Sequence, residues 1–355
     1  MNKYVVALIS AIIGFFFVSS PELDLIRYYE YVETFDTKTP ILDFILDNFH
    51  NNLDFIYYLA FFIIKNIGLN KEIVTALFMG LFYGQIIYFL ILSEKIFKVK
   101  SKINLVLIEA FAIFSVTPIY TLTISRNAAA LSIFFTGLCF LIQGKNIKTT
   151  LFFIFSMFTH VVMIVYLLLF VIFYNLNITI LFGRKNRNIL LIVMTFIGLK
   201  SKQWIDVFFE YFLTLPIFTK FTRYGEYFEK DELTGLNKNN IITDSLSYTD
   251  TIPIFYNAMI LLIGLMIIKK YNHKIIWTAY FFYIFLVISL GFSTMWTERI
   301  IMLLMPFQGV VALAVLSENN NNKNFIFIYK TLITFSVIMC FLNLYSYREV
   351  LRMSF

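Results

Sequence analysis

Apolar runs recur along the whole chain, and they constrain its fold more than any other feature. They fall at 4–19, 71–93, 103–124, 127–143, 149–159, 161–174, 188–199, 252–268, 275–292, 300–316 and 325–345, with a further apolar stretch at 53–67. A bilayer-spanning helix needs roughly 17–25 residues, so 149–159 and 188–199 are expected to be broken or tilted. With 14% charged residues against roughly 25% in an average soluble domain, a globular cytosolic protein is excluded. The expected fold is all-α: one polytopic transmembrane domain over 1–355 with about eleven spanning helices. The first run, 4–19, lacks a small-x-small cleavage site and is expected to stay as a spanning helix.

The short loops give the orientation. Loops 94–102, 144–148, 175–188 and 269–274 hold four, two, three and three basic residues, with Glu94 their only acid. They are expected in the cytoplasm. Segment 20–52 carries seven acids against Arg27 and Lys38, and is expected outside. These assignments agree only if 53–67 does not cross, so it is expected as an interfacial or re-entrant helix within an external segment 20–70. A second external segment covers 200–250. With Lys3, Lys323 and Glu318 added, the cytoplasmic side carries 14 bases and 2 acids, and the remainder 15 bases and 20 acids. The net charge of +7 therefore reflects topology, not nucleic-acid binding.

No phosphate-cradling, zinc-protease or serine-hydrolase motif is present. Three histidines, with Cys139 and Cys340 both inside apolar runs, give no metal site, and no cofactor is expected. There remains a set of charged residues at the external ends of the helices. Arg126 sits between two apolar runs in LTISRNAAALSIFF (122–135) and reads either as a snorkelling arginine or as an anion clamp. Asn127 would open the next helix, with its N–H groups facing the same anion. His160 interrupts FFIFSMFTHVVMIVYLLLF (152–170) at an expected bend. Glu298 and Arg299 open a span in STMWTERI, either as a surface ion pair or as site residues. Asp24 and Arg27 in ELDLIRYYEYV, and Arg223 with Tyr224 and Tyr227, complete the set. Arginine forks grip phosphate or diphosphate, tyrosine faces stack on sugars, and a carboxylate or histidine can take a proton from an attacking hydroxyl. Glu109, the one acid within a span, is left unassigned.

Several ordered features together resemble the EpsG-like branch of Wzy-type polysaccharide (O-antigen) polymerases. They are DLIRYYEYV (24–32), SRNAAALSIFF (125–135), the lysine turn GKNIK (144–148), FTHVVMIVYLL (158–168), TKFTRYGEYF (219–228) and TERIIMLLMPF (297–307). Val161 stands where the family often has Pro or Ser. The resemblance implies a GT-C-like membrane glycosyltransferase in the bacterial inner membrane, its active site facing the periplasm. It would join repeat units carried on undecaprenyl diphosphate, with a lipid-linked donor and acceptor and a chain-length regulator as partners. Arg126 and Arg299 would hold the donor diphosphate, and Arg223 would help hold a lipid-linked substrate. Asp24 or His160 would be the base. A flippase, another polyprenyl-linked transferase or glycan-modifying acyltransferase, and a non-catalytic assembly protein are the competing classes.

Overall fold

The computed structural model describes residues 2–16, 24–51, 55–97, 102–114, 121, 125–175, 184–200, 247–268, 273–289, 294–318 and 323–346. Among them the chain is all-helical. The elements are α1 (Lys3–Phe16), α2 (Asp24–Glu33), α3 (Ile41–Asn51), α4 (Phe55–Asn66), α5 (Glu72–Phe97), α6 (Lys102–Ile113) and α7 (Ser125–Ile142). They continue with α8 (Asn146–Thr159), α9 (Val162–Asn175), α10 (Arg184–Lys200), α11 (Ser247–Ile267), α12 (Lys274–Ser289), α13 (Thr294–Glu318) and α14 (Lys323–Ser346).

Among the described residues, three segments are long and apolar enough to cross a membrane: Glu72–Phe97, Ser125–Ile142 and Arg299–Glu318. Shorter apolar helices surround them. α1, α9, α10 and α14 expose large apolar side chains such as Leu8, Leu168, Phe196 and Phe327. Apolar faces of that extent are poorly tolerated in water but solvated by lipid, so this is a polytopic membrane protein.

α13 is the axis of the bundle. In its apolar window 94% of the residues are buried inside the protein, and it packs against α5, α6, α7, α11 and α12. Pro306 lies within it and removes the N–H that would bond the Met302 carbonyl. The tightest neighbours are α1 and α5, and small residues explain why. Gly80 and Gly84 on α5 face Ala7 and Ala11 on α1, and a Cβ on Gly80 would stand 2.9 Å from the Ala7 carbonyl oxygen. Helices in lipid associate through such close approaches, having little hydrophobic drive of their own.

Two cations close helix ends that would otherwise leave carbonyls unsatisfied. Lys65 Nζ donates to the carbonyls of Val32, Glu33 and Phe35 at 2.9, 2.9 and 3.0 Å, capping α2. Arg187 Nη2 donates to the Ile268 carbonyl at 3.2 Å, and Asn188 Nδ2 to that of Met266, tying α10 to the end of α11.

Each apolar run expected as a span overlaps a helix among the described residues. The run 103–124 is helical from Lys102 to Ile113 and turns at Phe114; of 115–124, all but Thr121 lies outside the described residues. The stretch 53–67 forms α4, whose 12 residues rise only about 18 Å, well under the roughly 30 Å of a hydrocarbon core. α2 and α3, in the acidic segment before it, are helices that the apolar pattern did not signal.

Candidate functional site

Arg126 is the second residue of α7. The residue before it, Ser125, is anchored by the Tyr57 hydroxyl of α4, whose oxygen lies 2.7 Å from Ser125 Oγ. Arg126 itself is half-buried, its guanidinium carbon 5.0 Å from the centre of the Tyr28 ring of α2. That ring meets Tyr57 edge-on at 5.4 Å, and Tyr57 stacks on Phe78 of α5 at 5.9 Å. The charge therefore rests on an aromatic platform built by α2, α4 and α5. Cation–π contacts of this kind are worth about 0.5–2 kcal/mol, depending on how far water is excluded.

α2 is itself latched. Lys71 pairs with Glu33 at 2.8 Å and holds that carboxyl below its ordinary range. The Tyr29 hydroxyl lies 2.7 Å from Thr75 Oγ1, and burial pushes it up to about 12.

The helix breaks at His160 without a proline or glycine. Ser156 and Thr159, in the last turn of α8, donate their hydroxyls back to the Phe153 and Phe155 carbonyls at 2.7 and 2.8 Å. Such back-bonding bends helices. His160 is extended (φ −157°, ψ 125°), its N–H reaches the Ser156 carbonyl, and its own carbonyl accepts from Met163 in the first turn of α9. The bend therefore forms with Val161 following His160. The His160 side chain is only 5% exposed. Phe158 beside it packs on Phe55 at 5.4 Å, so α4 touches both the start of α7 and the end of α8.

Further in, Asn127 (0% exposed) donates through Nδ2 to Met302 Sδ at a long 3.9 Å. Met302 lies one turn along α13 from Arg299, which is 8% exposed. Asn127 Oδ1, Tyr166 Oη and Arg299 Nε are all buried without a hydrogen-bond partner among the described residues.

Arg126, Asn127, His160 and Arg299 thus come together at one end of the bundle, where α7, α9 and α13 begin and α8 ends. Asp24 and Arg27 belong to α2; Asp24 stands one helical turn before Tyr28. Glu298 precedes Arg299 in α13. Arg223, Tyr224 and Tyr227 lie outside the described residues. Sequence reasoning missed Tyr28, Tyr57 and Ser125 as the support of Arg126, and the buried hydroxyl of Tyr166. The signal for Tyr166 was present: it is the sole hydroxyl in the run 161–172.

Chemically, this end presents guanidinium forks and amide and phenol groups in low-dielectric surroundings, an environment suited to an anion. Helix N-termini reinforce that preference. Neither a curated protein nor a solved structure matches the chain. The family that does match, over residues 4–354 and so nearly the whole chain, is the EpsG family, and the protein belongs to it.

Proposed function

We propose that this protein is a polysaccharide polymerase that joins oligosaccharide repeat units carried on undecaprenyl diphosphate. In this reading it is a GT-C-like bundle of about eleven spans in the bacterial inner membrane, with its site at the periplasmic face. EpsG membership supports a polymerase-like role. The observation that supports the reading is the placement of Arg126 and Arg299, on α7 and α13, at the same end of an apolar bundle, where Asn127 reaches Met302.

A hydroxyl of the incoming lipid-linked unit attacks the anomeric carbon of the growing glycan. The new glycosidic C–O bond forms as the bond to the diphosphate breaks, and the diphosphate leaves with the electron pair. Arg126 and Arg299 hold that leaving group and stabilise its charge, a task arginine performs through its planar fork. Asp24 or His160 takes the hydroxyl proton, with Glu298 as a further candidate acid–base residue. Asn127 and Arg27 assist in binding, and Arg223, Tyr224 and Tyr227 hold substrate from the 200–250 segment. A chain-length regulator is a proposed partner.

The test is the surface-glycan ladder of a strain lacking this gene and of the same strain complemented. Lipid cores capped by one repeat unit, with the ladder restored by the wild type, support the polymerase. Absence of capped cores points to a flippase or an earlier transferase, and an unchanged ladder overturns the proposal.

A further inference from the structure

The end of α7 away from Arg126 is basic, and its cations are joined by contact. Lys3 Nζ of α1 lies 3.3 Å from the centre of the Tyr88 ring of α5. The Tyr88 hydroxyl oxygen accepts from Gln143 Nε2 at 3.1 Å, and Gln143 Oε1 accepts from Lys145 Nζ at 2.9 Å. Lys145 and Lys148 both stand over the Phe140 ring, at 5.7 and 5.6 Å from its centre. Among the described residues no carboxylate pairs with any of these three lysines. Lys65 is absorbed by backbone carbonyls, whereas these ammonium groups meet only ring faces and one amide oxygen. Beside them a cleft of about 200 Å³ opens between α1 and α5. Ala7, Gly80 and Gly84 line it with little or no side chain, and Tyr4 and Leu81 at its edges are 72 and 45% exposed. Lys3 and Tyr88 line it too, as does Gln85, one turn before Tyr88, whose amide oxygen is buried without a hydrogen-bond partner among the described residues.

We propose that this cleft binds an anionic phospholipid, with one acyl chain along Ala7, Gly80 and Gly84 and the phosphate held by Lys3, Tyr88 and Lys145. The charge selects an anion, since three ammonium groups converge with no acid to neutralise them. The cleft selects a lipid. It is smaller than the roughly 300–1,000 Å³ that encloses a whole small ligand, apolar along its length, and edged by side chains that face the bilayer. A free phosphate would use the lysines and leave the cleft unfilled. Tyr88 accepts from Gln143 and keeps its own proton to donate to a phosphate oxygen. Gln85 stands between the apolar stretch and the lysines, at the level of the glycerol and its esters. Its amide oxygen can take a glycerol hydroxyl, or the amide can turn end for end and donate to an ester carbonyl. Basic pockets between spanning helices are known to take anionic head groups in this way. The site lies at the other end of the bundle from Arg126, and the inference stands or falls independently of the polymerase reading.

The experiment uses the purified full chain in non-ionic detergent micelles, with its thermal midpoint followed as phosphatidylglycerol is added. Phosphatidylcholine with the same acyl chains tests the charge, and glycerol phosphate, the anionic head without chains, tests the cleft. The midpoint is expected to rise saturably with phosphatidylglycerol and with neither comparison. Lys3→Gln is expected to weaken apparent phosphatidylglycerol affinity about fivefold, the worth of one lysine near an anionic lipid. Lys145→Gln, at an exposed turn, should show a similar loss and serves as the readout should Lys3→Gln fail to fold. Lys38→Gln, at an exposed position between α2 and α3, should bind as the wild type does. An equal rise with phosphatidylcholine overturns recognition of the anion. An equal rise with glycerol phosphate makes this a phosphate site and overturns the lipid. Wild-type affinity in Lys145→Gln and in a folded Lys3→Gln, or an equal loss in Lys38→Gln, removes these lysines from the site and overturns the proposal.

Discussion

Arg126 and Lys65 both place a positive charge against the first helices of the chain, and they answer to different partners. Lys65 is absorbed by three backbone carbonyls at the end of α2. Arg126 lies over the Tyr28 ring with its fork at the site. Arg126→Lys should therefore lose most polymer, more than tenfold in ladder intensity at matched membrane abundance, because an ammonium cannot reproduce a bidentate fork. Full activity of that variant would remove Arg126 from the anion site. Lys65→Met should act on stability instead. It strips the α2 carbonyls of a charged donor and should lower stability by about 1–3 kcal/mol, read as a lower thermal midpoint of the purified protein. At this scale a charge among apolar residues was legible from the sequence as a position to explain, with the snorkelling and anion-clamp readings both open there. Tyr166 was legible only as a lone hydroxyl in an apolar run, which reads as packing until that hydroxyl is seen to lack a partner.

Whole elements were legible where hydropathy alone decides them. Runs such as 71–93 and 127–143 became α5 and α7 with boundaries moved by a few residues. α2 and α3 were not, being short, polar on one face and held by tertiary contacts rather than by lipid. The Glu33–Lys71 pair is one of those contacts and carries a pH dependence. A depressed carboxyl pKa stabilises the fold above the unfolded carboxylate range and loses that contribution as pH falls through the lowered value. Hydrogen exchange in α2 should therefore quicken on acidification below the ordinary glutamate range, with the change abolished in Glu33→Gln. The effect will be small, since Glu33 is largely solvent-exposed. The α1–α5 contact makes a larger demand. A Cβ at Gly80 would lie 2.9 Å from a backbone oxygen, which no rotamer can relieve. Gly80→Val should force α1 from α5 and cost about 1–3 kcal/mol through overpacking, seen as lower membrane abundance and a lower thermal midpoint. Leu81→Ala, on an exposed position of the same helix, should leave both near wild type.

The whole molecule turns on whether α4 crosses the bilayer. The basic loops 94–102, 144–148, 175–188 and 269–274 lie opposite the acidic segment 20–52 only if α5 is the sole crossing between that segment and residue 94, and the 12-residue α4 is short for a span. α8 and α9, with 14 residues each, rise about 21 Å, so helices starting at the cytoplasmic surface reach their bend below the outer one. On the proposed orientation buried His160 would lie within the outer leaflet, where a lipid-borne diphosphate would meet it from the side. The proposal is tested by single cysteines in a chain with Cys139 and Cys340 replaced. Lys38→Cys and Lys145→Cys both stand at exposed turn positions. A membrane-impermeant maleimide added to spheroplasts should label residue 38 at once and residue 145 only after lysis. Labelling of both before lysis would mean that α4 crosses and every later loop changes side, carrying Arg126, His160 and Arg299 to the cytoplasmic face. Labelling of residue 145 alone would invert the whole chain. Either result would separate the site from a periplasmic polymerisation, because the lipid-linked units would then be presented on the wrong side of the membrane.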